Sequence, residues 1–376
     1  MLIQRYVMRE WLISFLIVTT VLLAIVLLIV PFFQFQKYTA LDEEFVFKVL
    51  PYFVPISLVY IIPLAVLLSC IFVFGRLSED NEILAIKSSG IPLLRIIRPI
   101  FLLTIFLSIG IFMINTQLIP YCYSKTRQLT INAFKNRIFT DSRGADEIKL
   151  PEGKISYANR DKGIFNSVRL LQFDSNKDQL VKEINAHQGK FELDEENAQF
   201  SLNLNKVYTT LWEKEKQTNQ STKEINNKRI IPRMIASGGL IYRLDISNLF
   251  APSRKNFASL TNNELNLLLI EYKNNPTKTR QVLSNKYQRY SSGLTPLIFA
   301  FIGIPIGILI RKGSRVAGVG ISMLLVFVGY YPLMMLGNLI GTKKDILPVS
   351  ISVWLSDIVF GLVGLILLYY LIKHDK

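Results

Sequence analysis

Hydrophobic and polar positions along the chain separate into long uncharged runs and one extended polar stretch. The runs cover residues 11–36, 49–75, 99–124, 290–310 and 316–342, and a sixth, 346–372, is broken only by Asp357. At about 1.5 Å per residue each is long enough to cross roughly 30 Å of hydrocarbon as a helix. Prolines 55, 63, 305 and 332 fall inside these runs, where packed neighbours tolerate a kink. The pattern predicts spans at about 11–33, 53–75, 97–119, 291–310, 316–340 and 350–372. The first run is too long for a signal-peptide core and no small-residue cleavage site follows it, so it reads as a retained anchor.

The polar stretch between spans three and four, 121–290, has another period. Phe200, Leu202 and Leu204 alternate with Ser201 and Asn203, as in a half-buried strand. Similar short segments occur at 154–158, 168–173, 181–186, 190–193, 207–212, 229–235 and 240–245, with Gly153, Asp174-Ser175, Gly189 and Gly238-Gly239 between them. Short strands at near-regular spacing predict a sandwich or jelly roll. Residues 213–228 read as a loop. Helix returns at Thr261, where Thr261 and Glu264 form a capping box, and a polar helix over 278–290 leads into span four. The expected layout is three spans (1–120), an inserted β domain (121–290) and three spans (291–376).

Between spans two and three lies the stretch GRLSEDNEILAIKSSGIPLLRI, residues 75–96. Leu77, Ile83, Leu84, Ile86 and Ile91 give it an apolar side, and Glu79, Asp80, Glu82 and Lys87 are polar. Ser78 with Asn81-Glu82 supplies a helix start and Ser89-Gly90 before Ile91-Pro92 a stop, predicting a helix over 78–90. Its ionised groups forbid it from crossing the bilayer, so it lies on the membrane surface. An ordinary amphipathic inter-span loop has the same spacing.

Half of the residues are hydrophobic, 50 %, and the mean hydropathy is positive, which argues against an ordinary soluble domain. The net charge of +15 is divided between short loops and the polar stretch. Arg5, Arg9, Arg76, Lys87, Arg95, Arg98, Arg311, Lys312, Arg315, Lys373 and Lys376 share one side of the membrane. The opposite short loops hold Lys37, Lys48, Lys343 and Lys344, diluted by Asp42, Glu43, Glu44 and Asp345. The basic side is expected to be cytoplasmic, with both termini inside and the β domain outside. This division accounts for the charge without nucleic acid. The two cysteines, Cys70 and Cys122, are too few for a disulfide framework.

Little in the chain supports catalysis. No phosphate-binding loop is present, since Gly341-Thr342-Lys343 lacks the spacing and the context. The two histidines, His187 and His374, have no neighbours at metal-ligand spacing, so no metal site is expected, and there is no nucleophile elbow. Asp357 is the one acid within a span: either an interhelical hydrogen-bonding group or a proton-coupling site.

The residues quoted carry a resemblance. The N-terminal IQRYVMRE (3–10), the segment 75–96, and GLTPLIFAFIGIPIGILIRKGSR (293–315) resemble the LptF/LptG, formerly YjgP/YjgQ, permeases of lipopolysaccharide export, over essentially the whole chain. The N-terminal match is closer to LptF than to LptG. The resemblance implies an α-helical membrane protein with six transmembrane helices and an inserted periplasmic β-jelly-roll domain, in the inner membrane of a Gram-negative bacterium. It implies a permease subunit of an ABC transporter with no ATPase site and no cofactor of its own, ATP being bound by the partner. Its partners would be an LptB-type ATPase dimer, a second LptF/LptG-type permease, LptC/LptA-type bridge proteins and lipopolysaccharide.

By the same resemblance 78–90 is the coupling helix and Glu82 its ATPase-engaging glutamate, with Glu79, Asp80, Arg76, Ile83 and Ile86 around it. Lys37, with Phe33 and Phe35, falls at the lateral gate, and Lys37 has an interfacial-anchor reading too. Asp357 departs from the asparagine the family implies there. The alternatives are a proton-coupled secondary transporter working through Asp357 and a non-transporting envelope scaffold.

Overall fold

A computed structural model describes residues 2–37, 43–140, 147–150, 153–161, 164–173, 180–194, 199–214, 230–245, 257–310, 315–344 and 347–373. Helix α1 is Leu2–Lys37 and α2 is Glu43–Glu79, followed by a short α3, Glu82–Ser88. Helix α4, Leu93–Met113, passes through a π-helical turn, Ile114–Leu118, into α5, Ile119–Thr140. After the strands come α6, Asn262–Glu271, and α7, Pro276–Leu309. Helices α8, Arg315–Met323, and α9, Tyr331–Leu339, are joined by a π-helical turn, Leu324–Tyr330. A single turn of helix, α10 Val349–Ser352, precedes α11, Leu355–Lys373. Among the described residues 6 helices are long and apolar enough to cross a membrane.

The sixth helix proper starts at Leu355 rather than near 350, because the chain turns at Val353-Trp354 after α10. The polar helix expected ahead of span four is the first turns of α7, and span three runs on as α5. Thr261 caps α6 as the capping box requires: its Oγ1 accepts from the Glu264 amide, and its own amide donates to the Glu264 carboxylate at 2.7 Å.

One compact unit holds 1–29, 51–124 and 255–376. Its main core joins Val7 and Trp11 of α1, Val66, Cys70 and Phe74 of α2, Ile83 of α3, Ile96 and Ile100 of α4, Ile304 of α7 and Leu371 of α11. Helix α7 approaches α2 closely because its facing positions are Gly303 and Gly307. A Cβ on Gly303 would lie 2.9 Å from Cys70 Cβ, and one on Gly307 3.1 Å from the Cys70 carbonyl oxygen. Gly318 also faces α2, 3.1 Å from Ile71 Cγ2, but Gly320 meets nothing within 4 Å.

The other unit holds 30–50 and 125–254. Its strands are β1 Glu147–Leu150, β2 Gly153–Ser156, β3 Asn159–Asp161, β4 Ile164–Phe173, β5 Leu180–Asp194, β6 Gln199–Lys214 and β7 Ile230–Asp245. They form one antiparallel sheet in the order β1-β2-β4-β5-β6-β7, with β3 also on β4. Segments expected as separate strands are single long ones. Gly189, expected as a break, lies inside β5, where its missing side chain leaves room for Leu204 and Val168. Asp174-Ser175 and most of 213–228 lie outside the described residues.

The long strands share a crease. Pairing skips Ser167, His187, Lys206 and Gly238, which lie side by side across β4, β5, β6 and β7. Ser167 and Lys206 there have φ of 54° and 52°. Phe165 and then Val168 and Leu170 are buried on β4, and Leu202, Leu204 and then Val207 on β6. The extra residue at the crease resets the alternation, so both halves of β4 and of β6 bury one continuous apolar face.

Candidate functional site

At the junction of α2, α3 and α4 the chain makes two sharp turns within a few residues. Helix α2 runs on to Glu79, so Ser78 is part of it and does not cap the next helix: its Oγ donates to the Ile308 carbonyl at 2.9 Å. The break comes at Asn81, in the left-handed conformation with φ 59°, which asparagine tolerates better than most residues. The intervening helix is therefore Glu82–Ser88, shorter than the 78–90 expected.

Its end has the predicted chemistry. Gly90 takes φ 78°, its amide donates to the Lys87 carbonyl at 2.9 Å, and the Ile91 amide reaches the Ile86 carbonyl at 3.4 Å. These are the paired bonds of a Schellman stop. Pro92 then opens α4.

Helix α3 turns Ile83 into the core and keeps Ile86 half-buried against it. Leu84, Ala85 and Ser88 face out, as do Glu79 and Asp80 on the last residues before the turn. An exposed two-turn helix with an apolar underside, fixed by the ends of two spans, moves with those spans. Two candidate residues are held by α1. The Tyr6 hydroxyl donates to Glu82 Oε1 at 3.4 Å and accepts from Arg76 Nη2 at 3.5 Å, and Arg76 Nη2 pairs with Glu10 Oε2 at 3.0 Å. Arg76 thus bonds within the chain, whereas the outward edge of α3 carries Leu84, Ala85 and Ser88, with the acids Glu79 and Asp80 exposed just before it. Of the gate candidates, the backbone of Phe33, Phe35 and Lys37 is the last part of α1. Their side chains lie outside the described residues.

Asp357 lies apart from α3. It is buried on α11 and joins three helical segments. The Ser291 hydroxyl of α7 donates to its Oδ2, and the Tyr330 hydroxyl donates to its Oδ1 at 2.8 Å. Thr295 Oγ1 lies 3.0 Å from the Tyr330 hydroxyl. A carboxylate accepting from two hydroxyls is a cross-brace.

Ser291, Thr295 and Tyr330 also line a cavity of about 170 Å³ with Ile56, Asn115 and Phe299. Two of the three π-helical turns among the described residues border it, the third being Ile340–Lys344: Asn115 of the first donates to Ser292 Oγ at 2.6 Å, and Tyr330 ends the second. A π turn adds one residue and rotates the side chains after it, which aims these polar groups inward.

Sequence reading missed Arg289, which is buried and donates to the Phe257 and Leu260 carbonyls at 2.9 and 2.5 Å and to Asn262 Oδ1 at 3.1 Å. Its one signal was an arginine next to an apolar run. His187 is on the exposed side of the crease in β5, and His374 lies outside the described residues.

None of the curated proteins compared with the chain matches it significantly. The model of one family, "Lipopolysaccharide export system permease LptF/LptG", matches residues 5–370 and joins both members under one description. That match takes in all six long apolar helices and the whole inserted sheet. The chain therefore belongs to the LptF/LptG family, and is a multi-pass inner-membrane permease of the lipopolysaccharide transport machinery.

Proposed function

We propose that the chain is the permease half of an ATP-driven lipopolysaccharide exporter whose ATP is bound and hydrolysed by a separate LptB-type dimer. The observation that carries this reading is α3: a short exposed helix with a buried apolar underside, set between two spans and flanked by Glu79, Asp80 and Glu82. A carboxylate there accepts charge-assisted hydrogen bonds from arginines of a docked partner. Closure of the ATPase dimer then pushes on α3 and moves α2 and α4 as levers. Both termini and α3 are cytoplasmic in this reading, and the inserted sheet is periplasmic, as the distribution of short-loop Lys and Arg requires.

A second LptF/LptG-type permease completes the lipid path. The apolar face formed by the residues buried in the sheet passes the acyl chains on to an LptC/LptA-type bridge. Lys37, with Phe33 and Phe35, is assigned to the lateral gate in this reading, where Lys37 would meet a phosphate of the lipid. The chain has no cofactor in this reading.

The test is Glu82→Arg. Its place on an exposed helix predicts a folded, membrane-inserted protein that loses stoichiometric ATPase subunit on purification and no longer supports export. Normal export with a normal complement of ATPase would remove the coupling role. Export that persists without any nucleotide-hydrolysing subunit would favour a secondary transporter.

A further inference from the structure

Among the described side chains of α1, the fully buried ones lie in its first three turns. Val7 and Trp11 are fully buried, and Trp11 Nε1 donates to Cys70 Sγ of α2 at 3.2 Å. Gln4 Nε2 donates to the Arg95 carbonyl at the start of α4 at 2.8 Å. Beyond Phe15 the side chains of Leu16, Ile17, Val21, Ile25 and Leu28 are exposed within this chain. Val18 and Leu22 still pack on the core, so the tightest anchorage of α1 is near its start and loosens along the helix.

That fixed end is wired to α3. Leu2, Ile3 and Tyr6 face Glu82, Ala85 and Ile86 across a shallow groove. The Tyr6 hydroxyl bridges the Glu82 carboxylate and the Arg76 guanidinium, and Glu10, one turn along α1, grips the same guanidinium. Helix α1 therefore holds the acid of α3 through one hydroxyl and the end of α2 through one ion pair.

We propose that Tyr6 is a positioning residue, which with the Glu10–Arg76 pair ties Glu82 to the base of the first span, so that a pull on α3 tilts that span about Trp11. The proposal rests on the coupling role of Glu82. An incoming cation that draws the carboxylate of Glu82 outward takes the acceptor from the Tyr6 hydroxyl, and α1 registers docking as a change in its own anchorage.

The experiment uses the complete complex, reconstituted in proteoliposomes, and reads lipid exported per ATP hydrolysed together with ATPase-subunit stoichiometry. Tyr6→Phe keeps the ring and removes the hydroxyl. The expected result is full stoichiometry and undiminished hydrolysis with about fivefold less lipid per ATP, the size of one ordinary net hydrogen bond. Glu10→Arg should lower the ratio too, and Glu10→Arg with Arg76→Glu should restore it, which a merely structural loss would not show. A wild-type ratio in Tyr6→Phe, a parallel fall of hydrolysis and export, or a double swap no better than the single would overturn the relay. Failure of the underlying coupling role is separate: it shows as Glu82→Arg retaining both ATPase and export, whatever Tyr6→Phe does.

Discussion

Asp357 shows what a single buried acid does in this fold. Its two oxygens are taken by hydroxyls from two other helical segments, Ser291 and Tyr330, and it braces α11 against them. Asp357→Asn keeps an acceptor for one hydroxyl, so export should continue unchanged; a loss of export would reinstate proton coupling. Asp357→Leu removes the acceptor of the Ser291 hydroxyl, while Tyr330 keeps Thr295, and should cost about 1–3 kcal/mol in unfolding measured in detergent. The sequence shows Asp357 as an isolated acid in an apolar run, but its partners lie 66 and 27 positions away. No local pattern connects them.

A second acid, Glu183 on β5, depends on pH. The Asn185 amide, against the opposing effect of burial, and then the Arg169 guanidinium at 2.7 Å hold its carboxyl below the usual glutamate range. A folded value below the unfolded one means that the stabilisation is complete above the ordinary glutamate range. It is lost as pH falls through that range to the lowered value. Amide-exchange protection of β4 and β5 should therefore drop on acidification, and Glu183→Gln should flatten that drop; an unchanged pH profile would contradict it.

At the level of elements, legibility followed how local the cause is. The apolar runs, the Thr261 capping box and the Gly90 stop are decided by residues within a few positions of each other, and the sequence shows them. The start of α3 is not, because Ser78 looks like a cap until Ile308, 230 positions away, takes its hydroxyl. The strands read as pairs of short segments for a related reason. Breaks in alternation at Ser167, His187, Lys206 and Gly238 look like turns along one strand, and only the pairing of four strands makes them one crease.

Glycines divide in the same way. Gly303 and Gly307 are the close-packing positions of α7, whereas Gly320, which resembles them in sequence, touches nothing. Gly307→Leu should force α7 from α2 at a cost of about 1–3 kcal/mol or more, while Gly320→Ala should be neutral or slightly stabilising. Equal thermal shifts for the two would contradict this packing.

For the whole molecule, family membership accounts for the lipid, and the proposed docking of an ATPase on α3 would account for the source of force. The chain has two compact units, one of spans and one centred on the sheet, and each has its own apolar interior. What links export to energy in this account is a partner seated on the outward edge of α3. A photo-crosslinking residue at Leu84, exposed between Ile83 and Ala85, tests that seat directly. In intact cells it should give one adduct, of the permease with a nucleotide-hydrolysing subunit, and Glu82→Arg in the same chain should abolish it. An adduct with a protein from the other side of the membrane, or no adduct in a complex that still exports lipid, would contradict the account.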